Sequence, residues 1–153
     1  MPDLICPLLE LPDYRADIEK LAEEGIIIRR PKPWEREMVS QFILKHFGQG
    51  WVDETLVSFS NVPVSSFIAV DGEKVVGFAA YEATCRGYFG PTGVDPDYRK
   101  RGIGQALLYE ALAGLRDLGY VYGFIGSPGP VTFYEKAVKC LLLPSEWKNF
   151  HTR

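Results

Sequence analysis

The sequence predicts a mixed α/β fold: a mostly antiparallel sheet with one strand–helix–strand crossover and flanking helices. Three observations predict it. Residues 66–94 hold three β-rich runs separated by tight-turn signals, which read as an antiparallel meander. A long helical stripe then opens near Gly102, and a further apolar run follows it at Tyr120 to Ile125. A strand, a helix and another strand in that order make a crossover and a mixed sheet. With 153 residues, 46% of them hydrophobic and 24% charged, the chain has the size and chemistry of one ordinary globular domain.

The elements follow in order. Pro12 to Glu24 has helical spacing, with Ile18, Leu21 and Ala22 on one side and Gly25 placed to end it. Ile26-Ile27-Ile28 is a β-branched run typical of a buried strand. A second helix is expected from Trp34 to Phe47, with Trp34, Met38, Phe42 and Ile43 as its apolar positions and Gly48 as terminator; Trp51 to Ser60 suits a short helix. Ser66 to Val70, Val75 to Thr84 and Tyr88 to Val94 form the meander, turning at Asp71-Gly72 and Arg86-Gly87. Ile103, Leu107, Ala111, Leu115 and Leu118 mark the buried stripe of the long helix, which Gly119 closes. Pro130 suits the first turn of a short helix, and Leu141 to Leu143 form a last strand.

Composition excludes several function classes. Seventeen basic against 20 acidic side chains give a formal charge of −3, which disfavours a nucleic-acid binder. No apolar run reaches the roughly 18–20 residues that span a bilayer, so no membrane partner is expected. Met1-Pro2-Asp3 lacks the positive charge that opens a signal peptide. Three cysteines (Cys6, Cys85 and Cys140) are an odd number with no CxxC pair, and His46 and His151 are isolated. Neither a metal site nor a disulfide framework is therefore expected, and a reducing, cytoplasmic compartment follows.

The segment with chemistry is Gly93 to Leu108. A strand runs out, the chain turns at Asp95-Pro96, and Gly102 and Gly104 stand at the mouth of the helix. Backbone N–H groups there have no partner within the helix and point outward, and the helix dipole favours an anion. Arg99, Lys100 and Arg101 add positive charge in an otherwise acidic chain. The pattern points to a diphosphate. A dinucleotide fingerprint would need a third glycine where Leu107 stands, and a P-loop would need a Gly-Lys-Ser/Thr that is missing. A basic turn that merely caps a closely packed helix remains the alternative from spacing alone.

Arg99-x-x-Gly102-x-Gly104, entered from Val94-Asp95-Pro96, resembles the acyl-CoA loop of the GNAT superfamily of acetyl-CoA-dependent N-acetyltransferases. Phe133-Tyr134-Glu135-Lys136 resembles the helix after that family's next strand, and the similarity runs from Ile26 to about Leu143. It implies an acyl-CoA N-acyltransferase-like fold: residues 1–25 as a helical extension, 26–153 as one N-acetyltransferase-like domain. It implies acetyl-CoA as co-substrate, its pyrophosphate on Arg101, Gly102, Ile103, Gly104 and Gln105, with Arg99 and Lys100 beside it. The pantetheine arm would run along Thr92, Gly93 and Val94, in a cleft between splayed strands.

Tyr134 would then protonate the leaving thiolate. Glu82 is the candidate base, with a solvated edge charge as its other interpretation, while Asp95 and Asp97 suit turn geometry. Cys85 as a nucleophile lacks a histidine nearby in sequence. Trp34, Phe42, Phe47 and Trp51 are either core or the acceptor wall. Partners implied are a small-molecule or peptide amine, and a homodimer is compatible with the short tail after Leu143. The chain departs from the family pattern in two places: Gly126 to Pro130 contains no asparagine, and Val138-Lys139 replaces a glycine–phenylalanine pair. A non-catalytic acyl-CoA-binding regulatory module is the alternative function.

Overall fold

The structure, a computed structural model, describes residues 1–151; the last two residues of the 26–153 domain span lie outside the described residues. Seven strands form one sheet in the order β2-β3-β4-β5-β6-β1-β7. They are β1 Leu4–Pro7, β2 Ile26–Arg29, β3 Ser66–Asp71, β4 Lys74–Tyr81, β5 Tyr88–Val94, β6 Tyr122–Ile125 and β7 Leu141–Leu142. Every neighbouring pair is antiparallel except β5 and β6. The helices are α1 Arg15–Glu23, α2 Arg36–Phe47, α3 Gln49–Leu56, α4 Ile103–Asp117 and α5 Val131–Val138. The expected mixed, mostly antiparallel architecture is what the chain adopts.

Both faces of the sheet are covered, which is why β3 and β4 read as near-continuous apolar runs instead of alternating ones. On one face α1, α4 and α5 pack over Leu4, Cys6, Phe67, Ala69, Val76, Phe89 and Ile125. On the other, Val39, Phe42, Ile43 and Val52 of α2 and α3 cover Ile68, Val70, Val75 and Phe78. The α4 stripe is buried at Ile103, Leu107, Ala111 and Leu115, each large side chain worth about 1.5–3 kcal/mol. Leu118 is exposed instead, because it caps the helix just past Asp117, where the chain begins to turn away.

Other expectations shift for local reasons. β2 pairs only with β3 and is an edge, leaving Ile27 half exposed where a buried strand was expected. Trp34 sits in a 3-10 turn ahead of α2 and is exposed. β4 stops at Tyr81 because Glu82 adopts a positive φ of 56°, which ends the ladder.

Residues 1–25 are more than a helical extension. Leu4–Pro7 is a strand inserted between β6 and β7, pairing Leu4 with both Ile125 and Leu142. Cys6 on that strand is disulfide-bonded to Cys140, just after α5, and both are buried. The expectation that no cysteines pair is thus wrong. The two partners are 134 residues apart, and only the sheet brings them together.

Candidate functional site

β5 and β6 are hydrogen-bonded neighbours for one short stretch only, Tyr88 with Phe124 and Phe89 with Ile125, and then part. The gap becomes a cleft of about 670 Å³. Phe47 and Trp51 line it from one side of the sheet and Phe133 and Tyr134 from the other, so it passes between the strands. Asp95 donates its N–H to Val76 on β4. Main-chain direction alternates along a strand, so the N–H groups of Val94 and Thr92 point the other way, into the gap. Pro91 between them and the parallel rung has no N–H to offer.

The mouth of the cleft is the start of α4. Asp95 caps the preceding 3-10 turn, its carboxylate accepting the Asp97 N–H at 2.9 Å, as its turn role requires. Gly102 then adopts a φ of 84°, a left-handed conformation that a β-branched residue resists, and no side chain caps the helix. The first intrahelical bond at this end is Ala106 N–H to Gly102 C=O, which leaves the N–H groups of Ile103, Gly104 and Gln105 without helical partners. Gly104 is half-buried and Gln105 exposed, which leaves these two residues open to the cleft, while Ile103 is buried. Gly104 is not a steric necessity, since a Cβ there would make ordinary contact with Val94.

Thr92, Gly93, Val94, Arg99, Lys100, Gly102, Ile103, Gly104 and Gln105 all line the cleft. Arg101 does not; its guanidinium lies 3.9 Å from Glu24 and over the ring of Tyr98. Gly93 is a point of close approach: a Cβ there would stand 2.3 Å from Cζ of Phe47, whose ring lies against β5. Of the four aromatics weighed for the acceptor wall, Phe47 and Trp51 stack at 5.2 Å and line the cleft, whereas Phe42 is core.

Tyr134 lies at the inner end, buried, edge-on to Phe89 and Phe133. Burial pushes its phenol up to about 12, so it holds its proton at neutral pH. Glu82 is elsewhere. Its carboxylate accepts the Gly87 N–H, bracing the 82–87 turn, and it is not among the residues lining the cleft. Cys85 is also outside, and burial, then the nearby Asp3, Glu82 and Glu54, push its thiol up, which opposes nucleophile chemistry. His46 lies 3.8 Å from Asp95 and against Phe42.

Sequence reasoning left other features of the site without an assigned role. The Gly126–Pro130 loop closes the far wall. Tyr109 ties α4 to α5, donating to the Ala137 carbonyl at 3.0 Å and accepting from Gln105 at 2.7 Å. Its place at i+4 from Gln105 was the available signal. The tail after β7 folds back so that His151 lies against Gly126, which no local pattern announces.

The family model described as the acetyltransferase (GNAT) domain matches residues 63–137, the span from before β3 to α5. Solved structures share the fold. One is a GCN5-related glucosamine N-acetyltransferase region in a fungal multi-domain GH3 β-N-acetylglucosaminidase, with TM-score 0.75 and 16% identity, covering 93% of this chain and 19% of that one. A GCN5-related N-acetyltransferase from Sphaerobacter thermophilus has TM-score 0.69 and 19% identity, covering 93% and 48%. A GNAT family acetyltransferase from Brucella melitensis, in complex with acetyl-CoA, has TM-score 0.52 and 20% identity, covering 81% and 92%. The chain thus spans about a fifth and about half the length of the first two. No curated protein sequence matches it. At such identities the structures speak for the fold, and the family model speaks for the segment that builds the cleft. Together they show a GNAT acetyltransferase domain match over residues 63–137, within a chain that has the fold of GNAT N-acetyltransferase structures.

Proposed function

We propose that the protein transfers an acetyl group from acetyl-CoA to a primary amine by direct attack within the cleft. The observation that carries this reading is the shared lining: the free amides at the start of α4 and the protonated phenol of Tyr134 border one continuous gap between parted strands. The amides of Ile103, Gly104 and Gln105 hold the pyrophosphate, with Arg99 and Lys100 adding charge. The Thr92 and Val94 main chain orients the pantetheine arm, and an N–H of β5 steadies the carbonyl oxygen as it gains charge. Tyr134 donates its proton to the departing thiolate. Holding both reactants in one gap itself lowers the barrier by several kcal/mol, of the roughly 7–11 available to well-oriented partners.

Among the described residues, no carboxylate or imidazole lines the cleft. The proton of the attacking ammonium therefore goes to solvent, and Glu82 takes no part. The same observation favours the alternative of a non-catalytic acyl-CoA-binding module. Titration with acetyl-CoA, followed by thiol release across a panel of amines, decides between them. Binding with release for at least one amine supports the transferase, binding without release favours the module, and no binding at millimolar acetyl-CoA removes both. The Cys6–Cys140 bond weighs against the cytoplasmic location that cysteine counting suggested, since disulfides persist in oxidising compartments.

A further inference from the structure

A second cavity, of about 180 Å³, opens beside the parallel rung of β5 and β6. Side chains alternate along strands, so Tyr88 and Phe124 face the opposite side of the sheet from Phe89 and Ile125, which line the cleft. The two rings stack at 5.6 Å and form one wall. Asp3, Arg86, Trp147 and Lys148 complete the part that matters here.

Asp3 is 4% exposed. Its Oδ2 accepts the Tyr88 hydroxyl at 2.6 Å, while its Oδ1 is buried with no hydrogen-bond partner among the described residues. Burial, then the bond to Asp3, pushes the Tyr88 phenol above its ordinary range, so Tyr88 stays the donor and Asp3 the acceptor. A buried acceptor without a donor is costly, and a positively charged donor relieves that cost best. Arg86 and Lys148, on the rim, are exposed and have no ion-pair partner among the described residues.

The cavity is thus bordered by the buried Asp3 carboxylate, by two cations with no ion-pair partner among the described residues, and by aromatic faces. A plain ammonium would satisfy Asp3 but face two cations. A plain carboxylate would suit the cations but face Asp3. A molecule that carries an ammonium and a carboxylate on one carbon answers each.

We propose that this cavity binds the zwitterionic head of a free α-amino acid, its ammonium donating to Asp3 Oδ1 and its carboxylate accepting from Arg86 and Lys148. An apolar side chain would lie against Trp147 and Phe124. The inference does not rest on acetyl transfer, because the cavity and the cleft have no lining residue in common.

Calorimetric titration of the full chain with L-leucine, isoamylamine and 4-methylpentanoate tests it, since the last two each lack one charge of the first. Leucine is expected to bind roughly tenfold or more tightly than either analogue. The Arg86→Gln, Lys148→Gln double variant should lose that preference while binding CoA as the parent does. Asp3→Asn should weaken leucine and isoamylamine together; if that variant does not fold, the rim double variant carries the test. Equal affinity for leucine and isoamylamine, unchanged leucine affinity in the double variant, or no leucine binding overturns the proposal.

Discussion

The two flanks of the cleft are built in opposite ways. The β5 flank is local: β3, β4, β5 and α4 follow one another in sequence, joined by short turns, and the glycine mouth comes within ten residues of the strand it serves. The β6 flank is not. β6 is held by β1 from the chain's start, α5 is followed by a disulfide to that same strand, and the returning tail covers Gly126. The half with the glycine mouth stands on neighbours in sequence, and the phenol-bearing half on contacts made across the whole chain. Binding and chemistry should therefore be separable by mutation.

The largest effect is expected at Tyr134. Tyr134→Phe should lower kcat by roughly a hundredfold or more, the range of a lost general acid, with CoA affinity unchanged. Steady-state kinetics alongside CoA titration checks this. Unaltered turnover would remove the phenol from the chemistry.

Next comes the disulfide. Replacing Cys6 and Cys140 by serine should cost about 2–4 kcal/mol in denaturant unfolding. It should also impair turnover more than CoA binding, because the bond anchors the α5 side alone. Equal damage to both would erase the distinction between flanks.

Gly102→Val should act in the opposite sense. A β-branched side chain at φ 84° costs on the order of 1–3 kcal/mol. The strain falls on the loop proposed to hold the pyrophosphate, so CoA affinity should drop by about tenfold or more while turnover at saturation changes less. Gly104→Ala, with only ordinary contact to Val94, is the mild control.

The smallest expected signal is the shape of the pH profile. With no carboxylate or imidazole among the described residues that line the cleft, kcat/KM for a simple alkylamine should climb with pH as the free-amine fraction grows, towards the amine's own pKa of about 10. Tyr134 keeps its proton until about 12, so no decline should precede that. A bend between about 4 and 7 would instead reveal an enzyme base.

Legibility in the sequence follows the same divide. The meander, the long helix and the residues at its mouth were readable because turns, periodicity and helix-end chemistry act over a few residues. Tyr134 was singled out only through resemblance, since burial in a cleft leaves no local mark on a tyrosine. β1 was not readable: Leu4-Ile5-Cys6-Pro7 is four residues long, and its pairing with β6 lies over a hundred residues away. Counting cysteines failed for the same reason, because parity says nothing when one thiol stays free beside a paired two. Glu82 was a reasonable base by strand position, yet the turn after β4 claims its carboxylate.

A crystal structure of the protein soaked with CoA tests the central claim most directly. The account predicts the diphosphate on the amides of Ile103, Gly104 and Gln105, and the sulfur about 3–4 Å from the Tyr134 hydroxyl. A diphosphate bound away from the start of α4, or a sulfur on the far side of the sheet from Tyr134, would contradict it.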